Sequence, residues 1–356
     1  MTEGSVYFPA LLGNVSLKRR LFKDIAENHL SHAYIIEGPR GSGRHTVALN
    51  VAAAIECQNR DEIGLTDLFG TSHESNIPCG VCPSCQKILS GKSPDVITVG
   101  LVEDRVTMGV DSIRALKEDI YIAPNDLSVK VYIVEDCDVM TEQAQNAFLL
   151  SLEEPPEYVV FFLLCESSMN LLETIRSRAP SLRTTRLTPE TIGSYLLENE
   201  PAARTLRDEN PKDFETLLFI ADGRLGYAIE LLDKKKRDGV FASRDEVKKL
   251  LSLLLRSNRA LAVESIGGFG KKRHEAINKI TYLQYAIRDL LLLKKSEDAP
   301  LCFFEDSEEA LELSTRFTSK SLLSLYDAAE RAKKDLETNA NVKLTLTNMM
   351  MSAGLM

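Results

Sequence analysis

Residues 34–46 read YIIEGPRGSGRHT and carry the strongest architectural signal in the chain. Tyr34 to Glu37 is a short β-branched and apolar run of the kind that forms a buried strand. GPRGSGRHT follows at once and opens a stretch from about His45 to Cys57 that reads as a helix. A glycine-rich turn between a strand and a helix is the setting of a Walker A phosphate loop. Gly38, Gly41 and Gly43 stand where such a loop needs unhindered backbone, so that its amides can face phosphate oxygens. After the last glycine the pattern requires Lys, then Ser or Thr; Arg44 and His45 stand there instead.

Each change has a chemical consequence. A planar guanidinium is not equivalent to the compact ammonium that sits between phosphates. Thr46 supplies a hydroxyl one residue late, rotated by about 100° around the helix and away from a metal ion. The loop reads as a phosphate cradle without its working groups, and whether ATP still binds stays open. The plainer alternative is a turn with no ligand.

A second strand agrees with this. Val129 to Glu135 is β-branched and apolar, and it delivers Glu135 and Asp136 where a Walker B strand presents Asp for the metal shell and then Glu for the attacking water. The two acids are in reversed order, which displaces both carboxylates, and positioning is most of phosphoryl-transfer catalysis.

Two more strands are expected at Asp95–Gly100 and Val159–Cys165. The second is apolar throughout, as in a parallel sheet covered on both faces. An amphipathic helix over about Thr141–Glu153 stops at Pro155-Pro156. From about Thr188 everything reads as helix, with a break near Asp222-Gly223 and a charged run, Lys234 to Asp238, as a candidate boundary. Ile277, Ile280, Gln284, Ile287 and Leu291 recur at helical spacing and mark one mostly apolar face.

Composition limits the function. The 356 residues suffice for two or three domains, and 44% hydrophobic with 27% charged residues is a globular balance. The 43 basic residues stand against 52 acidic ones, a net charge of −9, which argues against a free-standing DNA binder. No apolar run is long enough to span a bilayer, and no basic-then-apolar leader precedes the chain, so a cytoplasmic protein is expected.

Of the seven cysteines, Cys79, Cys82 and Cys85 are spaced by two residues among Pro78, Gly80 and Pro83. Three thiols in such a knuckle, with Cys57 as fourth ligand, suit a structural Zn²⁺ site with no open position. A ferredoxin-type cluster would want a further Cys where Leu89 stands, and a redox Cys-x-x-Cys fits three even spacings poorly. Cys137, Cys165 and Cys302 read as small core residues.

SHAYIIEGPRGSGRHT, the cysteine knuckle, KVYIVEDCDVM, NAFLLSLEEPP and TIRSRA occur in an order that resembles the bacterial DNA polymerase III clamp-loader subunits. These AAA+ proteins are related to replication factor C, and the resemblance is specific over about residues 5–190. It implies an α/β AAA+ core over 1–187 with a zinc module at 57–85, a helical lid over 188–240 and a helical collar over 241–356.

Within the family, gamma/tau motor subunits keep the Lys-Thr pair and the Asp-Glu strand, whereas delta-prime subunits commonly lose them. Arg44, His45, Glu135 and Asp136 therefore place the chain nearer delta-prime, as does Gly226, which stands where motor subunits carry a sensor arginine. Ser177-Arg178-Ala179 resembles the family's Ser-Arg-Cys motif and implies that Arg178 is an arginine finger for a neighbour's ATP site. The plainer alternatives are a surface arginine, or one paired with the nearby Glu173.

The implied function is a non-hydrolysing delta-prime-like subunit, a component of the polymerase III holoenzyme. Its implied partners are gamma/tau and delta and, through the complex, the sliding clamp and primed DNA. The alternatives are a gamma/tau-like motor ATPase and a zinc-stabilised adaptor.

Overall fold

The structure is a computed structural model, and it describes residues 8–27, 29–59, 77–101, 107–255, 261, 265–270, 272–337 and 340–353. Two compact units form: Met1–Ile192 with Gly223–Tyr227, and Gly193–Asp222 with Ala228–Met356.

In the first unit the apolar runs become a five-stranded sheet. Its strands are β1 (Ala33–Glu37), β2 (Val96–Val99), β3 (Lys130–Val134), β4 (Val159–Cys165) and β5 (Ser181–Arg183). The order across the sheet is β2-β3-β4-β1-β5, and every pairing is parallel. Four strands lie within a residue or two of where the sequence suggests. β5 was not expected: three residues, with only Leu182 buried, carry no legible period.

β1, β3 and β4 are buried at every position, which explains why their sequences do not alternate in polarity. Alternate side chains still go to opposite faces. Tyr34, Ile36, Val131, Ile133, Phe162 and Leu164 pack with α1 (Val15–Ala26) and α2 (Arg44–Ile55). Ile35, Tyr132, Val134, Phe161 and Leu163 pack on the other face. There they meet α4 (Val110–Asp119), α5 (Glu142–Glu153) and α6 (Glu173–Arg176), α3 being Pro83–Leu89. Phe161 stacks with Tyr132 at 5.5 Å between centroids and meets Phe148 edge-on at 5.3 Å, a geometry favoured by the ring quadrupoles.

α5 has the expected bounds. Thr141 caps it by accepting from the Ala144 amide at 3.2 Å, which satisfies one of the unpaired first-turn donors. α2 ends at Ile55, so Cys57 lies just beyond the helix and not within it.

In the second unit the described residues contain helices and no strand. The run Lys234 to Asp238 opens a helix that continues unbroken from Lys234 to Leu255. The stripe predicted around residues 277–291 lies on the helix Arg273–Leu293, where Ile280, Gln284 and Ile287 are buried and Ile277 and Leu291 are partly so. Asp289, fully buried on that helix, accepts from the amides of Cys302, Phe303 and Phe304 at 2.9, 2.7 and 3.2 Å. It fastens the following turn to this unit's core.

Candidate functional site

The glycine-rich loop leaves β1 between β4 and β5 and enters α2. Gly41 and Gly43 have φ of 82° and 90°, a left-handed backbone that a side chain would strain. A Cβ on Gly38 would lie 1.9 Å from Thr184 Oγ1, so the loop is packed against the chain that follows β5. Ser42 Oγ and Thr184 Oγ1 are hydrogen-bonded at 2.8 Å. The loop closes against residues far away in sequence.

The side chains after the last glycine meet the acids of the second strand. Arg44 is buried, and its Nη2 donates to Asp136 Oδ1 at 3.4 Å. Its other terminal nitrogen, Nη1, is buried with no hydrogen-bond partner among the described residues. His45 Nε2 lies 3.9 Å from Glu135 Oε1. Asp136 takes a left-handed φ of 46° as β3 turns into a short 3-10 turn, Cys137–Val139, a conformation Asp tolerates better than most residues. Thr46, next along α2, is exposed.

Other carboxylates also face this region. Glu166, just past β4, accepts from the Arg40 amide in the loop at 3.3 Å. Asp138 accepts from the amides of Glu166 and Ser167 at 3.0 and 3.4 Å. Gly226 N donates to Gly41 O at 2.9 Å. A Cβ on Gly226 would sit 3.1 Å from Gly41 Cα, so an arginine at 226 would require this contact to open. Neither Glu166 nor the Gly41–Gly226 approach was legible in sequence, because both join segments brought together only by folding.

Arg178 follows α6. Its Nη2 donates to Glu153 Oε1 at 2.7 Å and its Nη1 to Thr174 O at 2.9 Å. The acid that holds it is therefore Glu153 at the end of α5, not Glu173. Ile175 and Ala179, on either side, are buried. Gln145 fixes the approach: its Nε2 donates to Met140 O and Asn170 O at 3.3 and 3.2 Å, and its Oε1 accepts from Leu172 N at 2.8 Å. Gln145 is nearly fully buried. The sequence analysis passes over Gln145; the signal that would have found it is a polar residue at a core position of α5.

The four cysteines of the knuckle converge. The Sγ atoms of Cys57, Cys79, Cys82 and Cys85 all lie within 4.8 Å of one another, and Cys79 and Cys85 are 3.9 Å apart. Tetrahedral thiolates at about 2.3 Å from one metal ion would stand about 3.8 Å apart, so the donor set and spacing fit such a site. The amides of Cys82 and Cys85 donate to Cys79 Sγ and Cys82 Sγ at 3.4 and 3.5 Å, a backbone setting that favours thiolate. Burial raises the Cys82 thiol, but the amides of Cys85 and Gln58 outweigh it and bring it down to about 7. Burial holds the Cys57 and Cys85 thiols above their ordinary value. Cys137 and Cys165 are fully buried in the sheet core, whereas Cys302 is only partly so.

A parallel sheet in this order, with a phosphate-type loop after β1 beside the edge strand β5 and helices alone among the described C-terminal residues, is an AAA+-type module. A family model described as "DNA polymerase III, delta subunit" matches residues 13–188. Subunit tau of DNA polymerase III from Bacillus subtilis is 26% identical over 347 residues, 93% of this chain and 58% of tau. Subunit delta' from the same organism is 28% identical over 335 residues, 93% of each chain. The chain thus spans little more than half the length of tau and nearly all of delta'. Among solved structures, a gamma subunit-related protein from Thermotoga maritima is 22% identical with a TM-score of 0.46, covering 94% of this chain and 97% of that one. Over nearly its whole length the chain is thus similar to the clamp-loader subunits of DNA polymerase III. Among the described residues no helix is long and apolar enough to cross a membrane.

Proposed function

We propose that this chain is the delta-prime-type subunit of a polymerase III clamp loader, working in the cytoplasm with gamma/tau and delta subunits. It turns over no ATP itself and lends Arg178 to the ATP site of a neighbouring motor subunit. Through the complex it helps place the sliding clamp on primed DNA. The AAA+ core over 1–187, the lid over 188–240 and the collar over 241–356 are the domains of this reading.

The observation that carries it is the pairing of Arg44 with Asp136. In a working site the loop cation faces phosphate and the second strand acid, at the place of Asp136, faces the attacking water. Here the two neutralise one another, and His45 and Glu135 lie beside them at 3.9 Å. Gly38, Gly41, Gly43 and Thr46 remain as a loop backbone and one misplaced hydroxyl. Arg178, by contrast, is partly exposed, within reach of a second chain. A guanidinium offered to a transferring phosphoryl group is worth about 10³-fold or more in rate.

Structural zinc fits the knuckle. Cys57, Cys79, Cys82 and Cys85 would hold it, and a four-thiolate shell would supply cross-linking and no open position for catalysis.

The test is ATP hydrolysis by the reconstituted loader, stimulated by clamp and primed DNA, with wild-type chain or Arg178→Ala. A large fall in turnover with assembly intact supports the reading, and unchanged turnover removes the finger. A motor role is the second reading, favoured by the match to tau along 93% of this chain. Turnover by this chain in a complex with no other competent subunit would establish it.

A further inference from the structure

We propose that Glu153 is the positioning residue for Arg178, an inference that rests on the finger role given to Arg178 above. One helix, α5, grips the arginine-bearing segment at both ends. Near its start, Gln145 holds Asn170 O and Leu172 N, which fixes the entry to α6. At its last residue, Glu153 accepts from Arg178 Nη2 at 2.7 Å. Nη1 donates back to Thr174 O at 2.9 Å. Two nitrogens of one planar fork are thus bonded in two directions, which sets the plane of the guanidinium as well as its place.

The scaffold behind this contact is firm. Phe148 and Leu152 bury α5 against the sheet, and Ile175 and Ala179 bury the backbone on both sides of the arginine. Pro155-Pro156 stops α5 two residues past Glu153, so the acid sits on the last helical turn and not on a loose loop.

The pair contributes little to folding. Its side chains are 35% and 42% exposed, and an ion pair open to water gains little while ordering two long side chains. Orientation is what it supplies. A phosphoryl-transfer finger acts through its placement, and ordering it before the partner arrives removes that cost from the reacting state. The carboxylate also keeps the guanidinium paired as an interface closes over it, so that no bare cation is buried.

The test uses the full reconstituted loader with Glu153→Ala, Glu153→Gln, Arg178→Ala and the double variant Glu153→Ala/Arg178→Ala. Glu153→Ala is expected to lower kcat for stimulated ATP hydrolysis about tenfold, with KM for ATP and assembly on gel filtration unchanged. Glu153→Gln should recover most of the loss, because its amide oxygen accepts at the same reach. In the double variant the loss of Glu153 should add nothing to that of Arg178. Wild-type kcat in Glu153→Ala, with Arg178→Ala still slow, overturns the positioning role alone. So does faster turnover, which would mean that the carboxylate restrains the arginine, or an additive loss in the double variant. Unchanged turnover in Arg178→Ala overturns the finger reading beneath it. Should Glu153→Ala not assemble, Glu153→Asp keeps the charge but withdraws the oxygen, and an unchanged kcat there overturns the proposal as well.

Discussion

Arg44 of the phosphate-type loop donates from Nη2 to Asp136 Oδ1, at 3.4 Å, across the gap between α2 and the end of β3. The residue that replaces the loop lysine is thereby held by one of the acids whose order is reversed. The loop residue and the strand acid are thus physically coupled, so a change at one is felt at the other.

Restoring the loop by Arg44→Lys with His45→Thr is therefore expected to yield no ATP turnover. Restoring the strand as well, by Glu135→Asp with Asp136→Glu, is the smallest set in which hydrolysis by this chain would be sought. Appreciable phosphate release by the loop variant alone would show that the reversed acids are not a barrier. Asp136→Asn should destabilise the chain by about 1–2 kcal/mol in urea, because it removes the charge that neutralises a buried guanidinium while leaving only a neutral acceptor.

Gln145→Ala should cost about 2–3 kcal/mol, since one buried amide side chain satisfies the Met140 and Asn170 carbonyls and the Leu172 N–H. Gln145→Glu should be no milder, because an ionised carboxylate cannot donate to Met140 O or Asn170 O. Equilibrium urea unfolding measures both, and a wild-type midpoint for Gln145→Ala would mean that the network is redundant.

Asp95 gives the first unit a dependence on acid. Burial pushes its carboxyl up, but the amides of Asn125, Asp126 and Leu127 and the Asn125 side chain outweigh that and hold it below its ordinary value. A carboxyl depressed in the folded state contributes stability that is fully present above its unfolded pKa, about 3.9. That stability drains away as the pH falls from there through the folded value. Asp95→Asn should be destabilised by about 2–3 kcal/mol at neutral pH and should lose less than wild type between pH 5 and pH 3. Parallel acid-unfolding curves for the two proteins would refute this.

The cysteine knuckle should bind one metal ion per chain, measured by elemental analysis of protein purified without chelator. Cys82→Ser should lose the ion and lower Tm, and so should strong chelation of the wild type, because the ion ties the residues after α2 to α3. Metal-free protein with an unchanged Tm would leave the knuckle as four buried thiols.

Much of this was legible along the chain. Local runs identified β1, β3 and β4, because strands covered on both faces are apolar without interruption. Spacing alone brought Cys79, Cys82 and Cys85 together, since two intervening residues are a single turn of backbone. The loop glycines and their departures at Arg44 and His45 were visible for the same reason: the chemistry lies within consecutive residues. Only the tertiary structure decided which acid holds Arg178, that Arg44 is spent on Asp136, and that Gly226 presses its backbone on Gly41. Those contacts join residues 25, 92 and 185 positions apart, and at such separations partners are chosen by how helices and strands pack. Nothing in the order of Glu153, Glu154 and Glu173 along the sequence distinguishes the acid that folding sets beside the arginine.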